Sequence, residues 1–195
     1  MLKILVANDD GIRAEGIYRL VKALSAEAEI FVCAPHIQRS ASGHSISIGS
    51  PLKTREVAFD HAAYALEIEG TPADCVKLGL NLLQNQGISI DMVFSGINHG
   101  GNFGTDTLYS GTVSAAIEGA FNGIPSVAVS VNDHFPKHFE YACELALKTL
   151  RSAYGRLDSG TVLNLNIPDL PKEEIKGLKF TRLGKREYEN WFSEK

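Results

Sequence analysis

Short, uninterrupted apolar runs recur along this chain with amphipathic segments between them, and this alternation narrows the fold more than any other feature. Residues 3–7 form the first run, partly β-branched and typical of a strand buried on both faces. Residues 16–26 follow, with Ile17, Leu20, Val21 and Leu24 at helical spacing. A second strand over 29–34 is ended by Pro35. Residues 36–50, rich in Ser, Gly and His, read as a long loop. Residues 51–69 alternate weakly through Val57, Phe59, Tyr64, Leu66 and Ile68, which suits a hairpin or an excursion from the sheet. Gly70-Thr71-Pro72-Ala73-Asp74 is a helix start, with Thr71 as N-cap, Pro72 at the first position and Asp74 in the first turn. That helix should run to about residue 83. Further strands are expected over 91–95, 126–131 and 162–167, and helices over 110–122, capped by Ser110, and 138–153. Repeated βα units of this length predict an α/β fold with a mostly parallel sheet wrapped by helices on both faces.

Size and charge limit what such a fold can serve. The 195 residues suit one domain over 1–195, able to bury well over half of the chain's surface. A net charge of −4 argues against a nucleic-acid partner, because binders of a phosphate backbone carry a basic stripe. A single nucleotide held by a metal and backbone amides is compatible with it. Cys33, Cys75 and Cys143 are far apart and without Cys-x-x-Cys spacing, as reduced core thiols of a cytoplasmic protein would be. No signal peptide is visible, and no run approaches the ~20 apolar residues of a membrane span, so no membrane association is expected.

The first strand ends in Asn8-Asp9-Asp10-Gly11. In open α/β sheets ligands bind just beyond the carboxyl ends of the strands. Two adjacent carboxylates there repel unless something positive lies beside them, and a divalent cation is the economical answer. The tetrapeptide is equally good turn chemistry. Two more loops reach the same edge, carrying Arg39-Ser40-Ala41-Ser42-Gly43-His44 and Ser95-Gly96-Ile97-Asn98-His99-Gly100-Gly101-Asn102. Carboxylate, hydroxyl and amide oxygens form a hard ligand set, suited to magnesium, manganese or calcium. Tyr109-Ser110-Gly111-Thr112 opens a helix whose free N–H groups and positive end match a phosphate. The competing readings are plain: loop hydroxyls for Ser40 and Ser42, an ordinary cap for Ser110. Of the six histidines only His134 and His138 have His-x-x-x-His spacing, with Pro136 between them, and no zinc site is expected. His44 and His99 fall in the two loops and are accessory candidates, as proton donors or phosphate contacts.

Five segments, taken in order, resemble the SurE family of survival proteins. They are Ile4-Leu5-Val6-x-Asn8-Asp9-Asp10-Gly11, Ala34-Pro35-x-x-x-Arg39-Ser40-Ala41-x-Gly43-His44-Ser45, Gly70-Thr71-Pro72-Ala73-Asp74-Cys75-Val76, Ser95-Gly96-Ile97-Asn98-x-Gly100-x-Asn102 and Tyr109-Ser110-Gly111-Thr112-Val113-Ser114-Ala115-Ala116-x-Glu118-Gly119. The resemblance implies a Rossmann-like, three-layer fold and a metal-dependent 5′/3′-nucleotidase that hydrolyses nucleoside monophosphates. It implies one divalent cation per subunit, Mg2+ or Mn2+, held at the positions of Asp9, Asp10, Ser40 and Asn98. It also implies a homodimer or homotetramer whose C-terminal extension is exchanged between subunits. Family members usually continue beyond the length seen here, and Arg182-Leu183-Gly184-Lys185-Arg186-Glu187-Tyr188 looks like the start of that region, near 180–195.

The expected chemistry follows from charge. Asp9 and Asp10 are the catalytic candidates, as anionic ligands, with Asp9 preferred as general base or water-orienting group. Ser40 and Asn98 complete the shell with neutral oxygens. Asn8, Ser110, Gly111 and Thr112 are expected to hold phosphate oxygens. Rival readings fit less well. A phosphoacceptor receiver needs an aspartate where the strand over 91–95 ends in Ser95, and a haloacid-dehalogenase-type phosphatase needs Asp-x-Asp rather than an adjacent pair. A non-catalytic nucleotide- or metal-binding module stays open as the alternative.

Overall fold

The computed structural model describes residues 1–186. Its seven strands are β1 (Leu2–Ala7), β2 (Ala28–Pro35), β3 (Thr54–Glu56), β4 (Tyr64–Ile68), β5 (Met92–His99), β6 (Ser126–Val131) and β7 (Val162–Ile167). They form one sheet in the order β3-β4-β2-β1-β5-β6-β7, parallel except for the β3–β4 pair. From β1 the chain builds outward through β2 to β4, returns to β5, and builds outward again through β6 to β7. The reversal lies beside β1, where doubly wound sheets of Rossmann type open a crevice at the carboxyl ends of their strands.

Four helices cover the two faces: α1 (Glu15–Leu24), α2 (Pro72–Asn85), α3 (Gly111–Phe121) and α4 (Glu140–Ala153). The two-residue period of β1 sorts them. Ile4 and Val6 join Ile17, Leu20 and Leu24 of α1 and Leu145 and Leu150 of α4 in one core. Leu5 and Ala7 join Cys75, Val76 and Leu83 of α2 and Ala115 of α3 in the other. The result is the expected three-layer arrangement. Burial of both faces explains why β1 reads as a continuous apolar run.

Two segments differ in detail from expectation. Residues 51–69 form the hairpin but make no excursion: β4 pairs with β2 from Phe31 and Tyr64 to Pro35 and Ile68, and β3 caps the sheet edge. Leu66 and Ile68 face the core, whereas all of β3 is exposed, so the apolar pattern fades at the edge. β5 runs to His99 rather than Ser95, with an irregular register between Ser95 and Asn98. Gly96 has φ +132, and a Cβ there would lie 2.2 Å from the Val129 carbonyl oxygen, so glycine alone lets the strand bulge and continue. Asn98 and His99 therefore sit on a strand end, anchored by pairing to Ser130 and Val131.

The helix starts follow local chemistry. Thr71 Oγ1 accepts from Asp74 N at 3.1 Å while Asp74 Oδ2 accepts from Thr71 N at 2.9 Å, a reciprocal capping box. Ser110 Oγ accepts from Val113 N at 3.1 Å to cap α3. Of the expected C-terminal extension, residues 187–195 lie outside the described residues. Just before them, Arg186 Nη1 meets Asp106 Oδ2 at 2.6 Å beside the 3-10 turn Gly104–Leu108. Among the described residues no helix is long and apolar enough to cross a membrane. Cys33, Cys75 and Cys143 are free thiols, the first two buried.

Candidate active site

Asp9 and Asp10 lie in the bend that follows β1 and take different partners. Asp9 meets the first turn of α3. Thr112 Oγ1 donates to Asp9 Oδ1 at 2.5 Å. A Cβ on Gly111 would stand 2.7 Å from Asp9 Cβ and 2.9 Å from Oδ2, so glycine at this position makes room for the carboxylate. Asp9 is only 4% exposed. Burial pushes its carboxyl up from 3.8 to about 6. The Thr112 hydroxyl pulls it down, the neighbouring Asp10 charge pushes it up, and the Thr112 amide lowers it again.

Asp10 meets the loop after β2 and the end of β5. Its Oδ1 accepts from Gln38 Nε2 at 3.2 Å and its Oδ2 from the His99 amide at 3.1 Å. Burial raises its pKa, and those donors partly offset the rise. The loop after β2 is tied to the β1 end by backbone as well: Arg39 N donates to the Asp9 carbonyl at 2.7 Å. Ser40, next in sequence, is exposed in a turn. Asn98 Nδ2 donates to the Gly100 carbonyl at 2.6 Å. Because only the amide nitrogen can donate there, Asn98 Oδ1 points away from Gly100, as a ligand oxygen should.

The remaining candidates have varied settings. Asn8 Nδ2 closes its turn on the Gly11 carbonyl at 2.9 Å, and Asn8 Oδ1 is buried without a partner among the described residues. Ser110 serves as the α3 cap. Thr112 grips Asp9 and Gly111 abuts it, so the positive end of α3 already faces a carboxylate. The His99 ring tilts against Phe139 at 5.8 Å with Nε2 buried and unpartnered among the described residues. His44 meets a different group, with Nε2 at 2.9 Å from Oε2 of the buried Glu118 on α3.

Further residues support the site, Asn102 from a named motif position and Gln38, Asn164 and Asn166 from none. Gln38 sits at an unmarked position yet orients Asp10. Asn102 N donates to Asn166 Oδ1 at 2.7 Å, Asn102 Nδ2 donates to Ser130 Oγ at 2.9 Å, and Asn164 Nδ2 donates to the Asn102 carbonyl at 2.9 Å. This network pins the loop after β5 to β6 and β7. The alternation of Asn164 and Asn166 with Leu163 and Leu165 marks it, since two amides on one face of a core strand need partners.

The donor set fits a hard divalent cation. Among the described residues no three His, Cys, Asp or Glu side chains are grouped to hold a metal. A cation drawn to Asp9 and Asp10 would have to complete its shell with neutral oxygens, a donor set that suits hard divalent ions. One buried and one half-buried carboxylate with raised pKa values are the groups such an ion would relieve.

Comparison with known proteins points the same way. The sequence model of the family described as Survival protein SurE matches residues 4–190. The chain is 44% identical to the 5′-nucleotidase SurE of Petrotoga mobilis, over 100% of this chain and 77% of that protein. It is 49% identical to the 5′-nucleotidase SurE of Moorella thermoacetica, over 96% and 72% respectively. Among solved structures, the SurE protein from Aquifex aeolicus superposes with a TM-score of 0.85 at 41% identity, covering 96% of this chain and 74% of that one.

Proposed function

The chain belongs to the survival protein SurE family, and from that membership we propose that it is a divalent-metal-dependent nucleotidase hydrolysing nucleoside 5′- or 3′-monophosphates to nucleoside and phosphate. The observation that carries this reading is the acidic pair at the carboxyl edge of the sheet, with buried Asp9 held by Thr112 and Asp10 held by Gln38 and the His99 amide. In this reading Asp9, Asp10, Ser40 and Asn98 hold one cation per subunit, Mg2+ or Mn2+. When bound, the cation supplies Lewis-acid stabilisation of the charge that develops on the phosphoryl oxygens.

The chain's own residues do the rest. Thr112 holds Asp9 through its hydroxyl, and Gln38 with the His99 amide holds Asp10, so both carboxylates are oriented before substrate arrives. The Gly111 amide in the first turn of α3 offers a donor to a phosphoryl oxygen. Asp9, its Oδ1 held by Thr112, is the group placed to take the proton of the attacking water. Assembly as a homodimer or homotetramer and a cytoplasmic setting, which suits its free thiols, belong to the same proposal.

Phosphate release from a panel of nucleoside monophosphates, with Mn2+ or Mg2+ and with chelator, tests it. Release that requires the metal is expected. Turnover unchanged in excess chelator would overturn the metal mechanism, and Mn2+ binding without any turnover would make the chain a binding module.

A further inference from the structure

The loop over 36–50 has neither helix nor strand, yet it carries Ser40. Its hold on the rest of the molecule is a short series of anchors. Arg39 N donates to the Asp9 carbonyl at 2.7 Å and Gly43 N to the Tyr109 carbonyl at 3.0 Å. Thr71 Oγ1 donates to the Ser45 carbonyl at 2.6 Å, and Ser47 N and Oγ donate to Asp74 at 2.9 and 2.7 Å. Between the first two anchors Ala41 has φ +54, a left-handed conformation that a non-glycine residue keeps only when its surroundings enforce it. The turn that presents Ser40 is therefore strained, and something must hold its far end.

Glu118 on α3 is placed to do this. It is 4% exposed, and a buried carboxylate persists only where donors surround it. His44 Nε2 meets its Oε2 at 2.9 Å. Lys77 Nζ and Asn122 Nδ2 donate to its Oε1 at 3.0 and 3.2 Å. The His44 ring also stacks on Phe121, with centroids 5.3 Å apart and planes 18° apart. One carboxylate thus joins the loop, α2 and α3, one residue beyond the Gly43 anchor. The neighbouring open depression of about 380 Å³ is lined by these same side chains and Ile46.

We propose that Glu118, acting through His44, is a positioning residue for the cation site, clamping the 36–50 loop to α3 so that the strained Ser40–Ala41 turn is held beside the Asp9 strand end. The inference rests on the cation site proposed above, but its test does not depend on turnover. In His44→Ala, Mn2+ affinity measured by calorimetry should fall about tenfold or more, the size seen when an outer partner of a metal ligand is lost. Hydrogen exchange at the Arg39 and Gly43 amides should quicken while β1 and α1 stay protected. His44→Gln, whose amide still donates to Glu118, should recover part of both effects. Saturating Mn2+ should restore turnover in His44→Ala, because the defect lies in holding the ion. Unchanged Mn2+ affinity and unchanged exchange at both amides would overturn the proposal. So would turnover that stays low at saturating Mn2+, which would make His44 a substrate contact. Weakened Mn2+ binding in a protein whose wild type releases no phosphate would instead overturn the nucleotidase reading and leave the clamp standing.

Discussion

At the scale of single residues, the molecule keeps a charge where burial opposes it. A carboxyl raised from 3.8 to about 6 binds its proton more tightly in the folded chain than in the unfolded one. Without a cation, folding stability therefore declines as pH rises from about 4 to 6, and the loss is complete above that window. The shift corresponds to about 3 kcal/mol. Asp9→Asn in chelator at pH 8 should be more stable than wild type by up to that amount, measured by urea unfolding, while Mn2+ binding collapses. A variant less stable than wild type would show that the carboxylate's hydrogen bonds outweigh its burial. Thr112 is a second case. Its motif suggests a phosphate contact, but its hydroxyl lies on Asp9. Thr112→Val should accordingly weaken Mn2+ binding as well as turnover. A change confined to the Michaelis constant for nucleotide would return Thr112 to the phosphate.

At the scale of elements, caps join the helices to the loops. Asp74 closes the α2 capping box and also accepts from Ser47 N and Oγ, so one side chain ends a helix and ties down the 36–50 loop. Burial alone would raise its pKa, yet the bonds from Thr71 and Ser47 outweigh burial and lower it below 3.8. The stabilisation is therefore present above about 3.8 and is lost as pH falls through the lower folded value. Asp74→Ala should cost on the order of 2 kcal/mol at pH 7, and its stability curve should converge with that of wild type in strong acid. Persistence of the full difference at pH 2 would assign the effect to helix propensity. The capping box was legible from Gly70-Thr71-Pro72-Ala73-Asp74, because capping is local. The Ser47 bonds were not, because they join residues 27 positions apart.

At the scale of the whole molecule, the cation site couples segments that are far apart in sequence. A ligand bound only by the folded state adds about 2.7 kcal/mol at a hundredfold excess over its Kd. For a chain of this size that is a rise in Tm of roughly 5–10 °C. Mn2+ should produce such a rise in wild type and none in Asp10→Asn. An equal rise in both would place the ion elsewhere. What the amino-acid order contained was periodic and local: the strand runs, the helix caps, the acidic turn, and hence the layered sheet with its ligand edge. Contacts across the chain were another matter. The sequence could not show that Thr112 meets Asp9, that Gln38 and the His99 amide meet Asp10, or that Glu118 holds His44. Each depends on which strands are neighbours and on where α3 starts relative to β1. Those relations arise only when two apolar cores form on the two faces of the sheet and bring residues about a hundred positions apart within hydrogen-bonding distance.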